Sequence, residues 1–380
     1  MRLQLDEDHR MLRENVRAFA ESEIRPHAAH HDRTREFPLR ELRAAAALGL
    51  TGVMIPEEHG GAGMDCLSYV IVIEEISRVD ASLGVILSVN NSLYCHPIAT
   101  FGTSEQKAKY LTPFAKGEKL GCYCLTEPDS GSDAGSLRTQ ARRQGDRWIL
   151  NGSKVFVTNG VAADAAIIYA KTDPGAPSSK GISAFIVEKG FPGYHTGKTE
   201  TKLGITSSGS VEIVLENCEV PEANVLGEVD GGFRIALHTL DGGRIGIAAQ
   251  AVGIGQGAFD EALRYSKERK QFGVPISSHQ AIQFYLADMA TDLDAARLLT
   301  YRAARARDTQ ERYTLEASMA KLFASEAANR IAYKAVQIFG GYGYINEYPV
   351  ERYFRDARIC ELYEGTSEIQ RLVISGHILK

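Results

Sequence analysis

The spacing of hydrophobic residues changes twice along the chain, and this change limits the fold more than any other feature. Over residues 8–24, Met11, Leu12, Val16, Phe19, Ala20 and Ile24 return near a 3.6-residue period, the pattern of a helix with one buried stripe. Residues 39–50, 67–79 and 104–114 behave alike. From about residue 121 the period falls to two. Residues 148–150, 154–158, 165–170, 182–187 and 211–215 are short β-branched or aromatic runs, broken by Asn151-Gly152, Asp173-Pro174-Gly175 and Gly204. No helical pattern of about 10 to 15 residues separates them, which argues against a doubly wound parallel sheet and for a compact antiparallel β domain. After about residue 233 the helical period returns in 233–268, 279–307, 311–339 and 367–379, alanine-rich segments suited to an antiparallel four-helix bundle. The 380 residues exceed one ordinary core. They divide into an N-terminal helical domain (1–120), a middle β-barrel-like domain (121–232) and a C-terminal helical bundle (233–380).

Charge narrows the function. The 48 acidic and 43 basic residues are interspersed, leaving no basic stripe for nucleic-acid phosphates. No apolar run approaches the ~20 residues that cross a bilayer. The N-terminal MRLQLDEDHRMLRENV carries acids and lacks the apolar run of a signal peptide, so a cytoplasmic protein is expected. Cys66, Cys95, Cys122, Cys124, Cys218 and Cys360 show no CxxC pairs or zinc spacing, which predicts buried thiols and no metal.

Four segments spend glycine, small polar residues and charge where a packed core does not need them. YCLTEPDSGSD, 123–133, reads as a strand end followed by a turn-rich loop that either wraps a polar ligand or is structural. KVFVTNG, 154–160, reads as a strand with Phe156 and Thr158 on one face, where an aromatic can cover a planar ring and a hydroxyl can bond its edge. In 241–273, Gly242 and Gly243 sit inside a helical pattern at a cost of ~1 kcal/mol each, which points either to a ligand or side chain approaching the backbone closely or to helix–helix contact. Gly253, Gly255 and Gly257 do not make a dinucleotide fingerprint, because the spacing is wrong and no strand precedes them. In 336–370, a glycine corner precedes YEGTSEIQ, where Ser367 and Gln370 fit a capping box and leave Glu364 in the turn before the last helix. A carboxylate there is either an acid complementing the helix dipole or a base held by a turn.

Together with ERKQFG, QIFGGYGY and RDARICELYEGTSEIQR, these segments resemble the acyl-CoA dehydrogenase family over essentially the whole chain. SLGVILSVNNSLY and TLDGGRIGIAAQAVGIGQ are similar to its short-chain, butyryl-type members. The resemblance implies FAD, with Tyr123, Leu125, Thr126, Ser132, Phe156, Val157 and Thr158 at the flavin ring and ribityl chain. It implies a homotetramer, a dimer of dimers, in which Arg269, Gln271, Phe272, Gln280, Gln337 and Gly341 hold the FAD pyrophosphate and adenosine across an interface. Thr366 and Glu368 would face the same cofactor, Ser132, Ser179, Asp241 and Arg244 the acyl-CoA, and Tyr363 and Gly365 the thioester. Glu364 would remove the α-proton while the β-hydrogen leaves as hydride, giving a trans-2-enoyl-CoA in fatty acid β-oxidation. Desolvation is expected to outweigh the helix dipole and raise the Glu364 pKa when substrate is bound.

Some relatives place the base where this chain has Gly243, which cannot serve. Thr206, Phe156 and Asp129 depart from the family pattern. An electron-transfer flavoprotein is the expected electron acceptor. Short branched acyl groups are an alternative substrate, and an oxygen-using oxidase a more distant one. A decarboxylating glutaryl-CoA enzyme is disfavoured because LSVNNS, 87–92, lacks an arginine.

Overall fold

The computed structural model describes residues 5–177 and 179–380. The first third is helical: α1 (Glu7–Phe19), α2 (Arg25–Thr34), α3 (Leu39–Ala47), α4 (Cys66–Ser77), α5 (Ala81–Ser88), α6 (His96–Phe101), α7 (Ser104–Tyr110) and α8 (Thr112–Ala115). Side-chain caps open several of these helices. Asp6, Asp65 and Asp80 each accept from a backbone N–H of the first turn, and Thr103 with Gln106 forms a capping box. Every residue of α4 and α5 is buried, so their apolar character runs all round rather than along a stripe.

Two stretches, Ala20–Ile24 and Val89–Cys95, widen into π-helical turns. The second presents the buried amides of Asn90 and Asn91. Asn91 accepts from Val53 N (2.8 Å) and donates to Leu50 O (2.9 Å), while Asn90 accepts from Gly121 N (3.0 Å) and donates to Thr51 O (2.9 Å). These bonds satisfy loop groups that burial would otherwise strand, and they tie α5 to the first strand.

The middle of the chain forms an eight-stranded sheet from β1 (Gly121–Cys124), β2 (Gln140–Gln144), β3 (Arg147–Val157), β4 (Ala165–Lys171), β5 (Ile182–Glu188), β6 (Tyr194–Thr199), β7 (Val211–Pro221) and β8 (Val225–Leu226). Its path runs β6-β7-β3-β2-β4-β5-β8. The sheet is not purely antiparallel, because β1 pairs with β4 in parallel over four residues. Runs 148–150 and 154–158 are one strand, kept continuous by pairing with β7 through an irregularity between Leu150 and Gly152. β4 and β5 are buried on both faces: Ile168 and Phe185 point into the β core, and Ile167 and Ile186 pack with Tyr94 and Phe114 of the helical part. That double burial explains their continuous apolar runs.

The last third holds α9 (Gly232–Glu268), a short hairpin of β9 (Lys270–Gln271) and β10 (Val274–Pro275), then α10 (Gln280–Thr309), α11 (Thr314–Phe339), α12 (Val350–Ala357) and α13 (Ser367–Ile378). The four expected helices are present, with α12 in addition. Tyr69, Val70 and Ile73 of α4 share one core with Ile247 and Ile254 of α9, Leu293 of α10 and Ile331 of α11. The N-terminal helices thus complete the bundle. All six cysteines are unpaired and buried. No helix among the described residues is long and apolar enough to cross a membrane.

Candidate active site

Glu364 lies in the turn between the 3-10 turn Arg358–Glu361 and α13. It adopts φ 52° and Gly365 φ 94°, two successive left-handed residues. Such a conformation costs a non-glycine residue energy and persists only where its surroundings hold it. Two buried side chains do so. Gln370 of α13 donates to Glu364 O (3.1 Å) and Gly365 O (3.0 Å), and Lys321 of α11 donates through Nζ to Gly365 O (2.7 Å). The helix cap is Thr366, whose hydroxyl accepts from Ile369 N at 3.4 Å. Ser367 does not act as the cap, because Gln370 is committed to the turn carbonyls instead of the reciprocal bond a capping box needs.

The turn lays the Glu364 side chain on α9 at Gly243. A Cβ added there would overlap Glu364 Oε2 and come within 2.8 Å of Leu93 Cδ2. Gly243 is therefore explained by close approach, and what approaches is a carboxylate; a Cβ on Gly242 would meet only the Arg307 guanidinium, at 3.4 Å. Solvent reaches part of Glu364, yet Oε2 is enclosed and has no hydrogen-bond partner. Burial pushes its pKa up to about 8, against the opposing charges of Lys321 and Arg244. One turn further along α9, Tyr69 Oη and Ser88 Oγ, 2.8 Å apart, fill the volume above Gly246. Beyond them Gln250 bonds the Tyr363 hydroxyl and Ala81 O.

Arg244 does not contact Glu364 by hydrogen bond. Its Nη1 donates to Asp241 (2.7 Å), which also accepts from Thr314 (2.5 Å), so Asp241 and Arg244 form a fixed pair beside the turn.

The β domain contributes a second set of residues. Glu127, just after Leu125 and Thr126, is pinned by Lys154 Nζ (2.6 Å), Thr139 N (3.0 Å) and Arg138 N (2.5 Å). Burial alone would raise its pKa, but Lys154 and these donors hold it below the usual range. Lys154 also bonds Leu125 O at 3.2 Å, and Val155 N bonds Thr126 O at 2.9 Å. The loop is thereby fixed to β3. Tyr123 Oη is enclosed with no partner. Phe156 is 67% exposed at φ 59°, and the strand ends at Val157. The left-handed Phe156 falls within an irregularity in the pairing with β7 between Lys154 and Val157, so the strand is not regular where Phe156 and Thr158 were expected to share a face. Ser132 is exposed on the same loop, and Ser179 packs close by, 3.4 Å from where a Cβ on Gly135 would sit.

A third set lies at the end of α9. Arg269, Gln271 and Gly341 line one cleft of about 420 Å³ with Tyr265, Phe339 and Tyr342. The Arg269 guanidinium stands 5.5 Å from the Tyr342 ring centre. Phe272 is 94% exposed at the hairpin tip. Gln280 and Gln337 are exposed and do not line this cleft, and Glu368 is exposed in the first turn of α13. This cleft shares no lining residue with the Glu364 turn.

Of the departures noted above, Thr206 donates to Asp32 O (2.8 Å), which joins the β domain to α2, and Asp129 pairs with Arg138 at the surface (2.7 Å). Lys321 and Tyr69 carry no motif signal, and Gln250 and Gln370 fall in motifs that do not foretell the bonds they make here. Their roles emerge only from the packing.

Family models for the acyl-CoA dehydrogenase N-terminal, middle and C-terminal domains match residues 6–118, 122–218 and 230–379. The chain is 53% identical over 378 residues to the short-chain specific acyl-CoA dehydrogenase of Mus musculus, covering 100% of this chain and 92% of that protein. It superposes on butyryl-CoA dehydrogenase from Megasphaera elsdenii with a TM-score of 0.98 at 44% identity, over 100% of both chains. A chain from work on the electron transferring flavoprotein of Acidaminococcus fermentans gives a TM-score of 0.98 at 48% identity, again over 100% of both.

Proposed function

This chain belongs to the acyl-CoA dehydrogenase family of oxidoreductases, and we propose that it removes the α- and β-hydrogens of a short-chain acyl-CoA, giving trans-2-enoyl-CoA. One observation underlies the assignment of the base. Glu364 is the turn carboxylate whose Oε2 is enclosed, unpartnered and raised to about 8. An α-proton beside a thioester is weakly acidic, and a base works best with a pKa near the operating pH and a free lone pair. Glu364 has both. Asp241 is unsuited to this role because its oxygens are engaged by Arg244 and Thr314.

FAD is the proposed cofactor, and when bound it supplies the acceptor for the β-hydrogen. The residues fit such a group. The orphaned Tyr123 hydroxyl and the exposed Phe156 ring lie at the β-domain loop, and the cleft of Arg269, Gln271 and Gly341 offers a cation and close backbone approach for a pyrophosphate. Leu125, Thr126, Ser132, Val157, Thr158, Thr366 and Glu368 would complete the flavin contacts. The open cleft and the exposed Phe272 support a homotetramer, in which a neighbouring subunit covers this surface with Gln280 and Gln337 at its edge. Ser179, Arg244, Tyr363 and Gly365 would bind the acyl-CoA. Tyr69 and Ser88 close the space one turn beyond the base, which supports butyryl to hexanoyl chains. An electron-transfer flavoprotein is the proposed electron acceptor, supported by the relative studied with one.

The test is anaerobic addition of butyryl-CoA to the flavin-loaded protein and to Glu364→Gln. Bleaching of the flavin band in the unaltered protein alone is the expected result. Equal bleaching in both, or none with any acyl-CoA, would overturn the reading.

A further inference from the structure

Among the described residues Lys321 is one of the largest fully buried side chains, and it stands on α11 with no carboxylate bonded to it. A buried ammonium is expensive unless it is paired or serves a purpose. Its Nζ bonds Gly365 O at 2.7 Å, the carbonyl directly after the proposed base, while Gln370 bonds the same oxygen at 3.0 Å. Two long side chains from two helices thus converge on one turn carbonyl. Gln370 also reaches Glu364 O, so a neutral amide alone can hold this backbone. What Lys321 adds is a charge.

That charge acts on Glu364 without neutralising it: no ion pair joins the two among the described residues, and Glu364 Oε2 stays free. The groups that bear electrostatically on Glu364 are Lys321 from α11 and Arg244 from α9. Tyr69 of α4, Tyr123 of β1 and the adjacent Tyr363 sense the carboxylate in turn. Lys321 also feels Cys360 and Glu361, and burial pulls its own pKa down to about 8. Arg244 is already committed to Asp241 at 2.7 Å, which leaves Lys321 as the cation not offset by a bonded acid.

We infer that Lys321 is a positioning residue for the base: it fixes the left-handed Glu364-Gly365 turn through the Gly365 carbonyl and holds one positive charge beside the carboxylate without pairing with it. The inference rests on Glu364 acting as the base. A direct Lys–Glu pair would fill the lone pair needed for the proton, whereas a charge tethered to a neighbouring carbonyl keeps the carboxylate ionisable and free.

The experiment compares Lys321→Met, Lys321→Arg and Gln370→Leu by the pH dependence of flavin reduction at saturating butyryl-CoA, with flavin content and melting checked for each. Removing a nearby cation disfavours the carboxylate. In Lys321→Met the pH midpoint should therefore move up by about one unit, with activity at pH 7 falling roughly tenfold and recovering as pH rises. Lys321→Arg, which stays charged where Lys321 itself begins to lose its proton, should hold the midpoint at or below that of the parent, and Gln370→Leu should slow the reaction without moving it. The same displacement should appear without substrate, in the pH dependence of the melting difference made by Glu364→Gln in the Lys321→Met background. An unmoved midpoint in Lys321→Met, by either readout, overturns the inference. Should Lys321→Met not hold flavin, Lys321→Gln is read in its place with the same criteria. If the unaltered protein bleaches and only the midpoint fails to move, the function stands and this inference alone falls.

Discussion

The molecule buries two glutamates near two buried lysines and treats them in opposite ways. In the β domain, Glu127 receives Lys154 at 2.6 Å together with two backbone amides, and its pKa is held down. In the turn before α13, Glu364 has Lys321 nearby, but the ammonium is spent on a backbone carbonyl and the pKa rises to about 8. Glu127 is the more enclosed residue as a whole, yet it is the one held ionised, so the donors that reach its oxygens outweigh burial. A carboxylate whose lone pairs are all taken is architecture, and one that keeps a lone pair is chemistry.

The largest effect should separate the two lysines by stability. Lys154→Met leaves the Glu127 charge buried without its counter-ion and should cost about 3–5 kcal/mol in denaturant unfolding. Lys321→Met removes no ion pair and should cost clearly less. Equal losses would break the contrast. Next, Gly243→Ala places a methyl where Glu364 Oε2 sits, so stopped-flow flavin reduction should slow by roughly 100- to 1000-fold in a folded protein. A rate within a few-fold of the parent would mean that the carboxylate works from elsewhere.

Opposite signs are expected from glutamine substitution. Glu364 has a raised folded pKa, so it lowers stability as pH climbs from its ordinary 4.5 through about 8. Glu364→Gln should therefore melt above the parent, with a gap that opens across this interval to roughly 1–3 kcal/mol. Glu127 has a depressed folded pKa, so its contribution is present above the unfolded value and lost as pH falls through the folded one. Glu127→Gln should melt below the parent at neutral pH, with the deficit shrinking in acid. Melting curves carried from well below pH 4.5, where Glu127 protonates, up to about pH 9 check both. The smallest effect belongs to Gln370→Leu. Losing one of two grips on the turn should cost about 1 kcal/mol, seen as a several-fold slower reduction with no displaced pH midpoint.

The three-part plan was legible because burial imposes its period on the sequence. It failed where burial was atypical. β2, QARRQ, and β6, YHTGKT, expose most of their residues and show no apolar alternation, so they left no signal. The parallel pairing of β1 with β4 depends on residues about forty positions apart, which no local pattern encodes. At the site, Gly243 was readable as a point of close approach and Glu364 as a turn carboxylate. Lys321 was not, because a lysine in an alanine-rich helix looks the same whether it faces water or a catalytic turn. The cap was misplaced by one residue for a similar reason. Thr366 and Ser367 are equally competent, and only the commitment of Gln370 to the turn decides between them.

The space above Gly243 has room for a single occupant. A side chain grown from that glycine and the carboxylate descending from Glu364 claim the same volume. A descendant of this enzyme that moved its base onto α9 would have to vacate position 364 in the same step, since either change alone gives a crowded site or one with no base. The two arrangements are therefore separated by an inactive intermediate rather than joined by gradual improvement, and a lineage that has settled on one of them is held there.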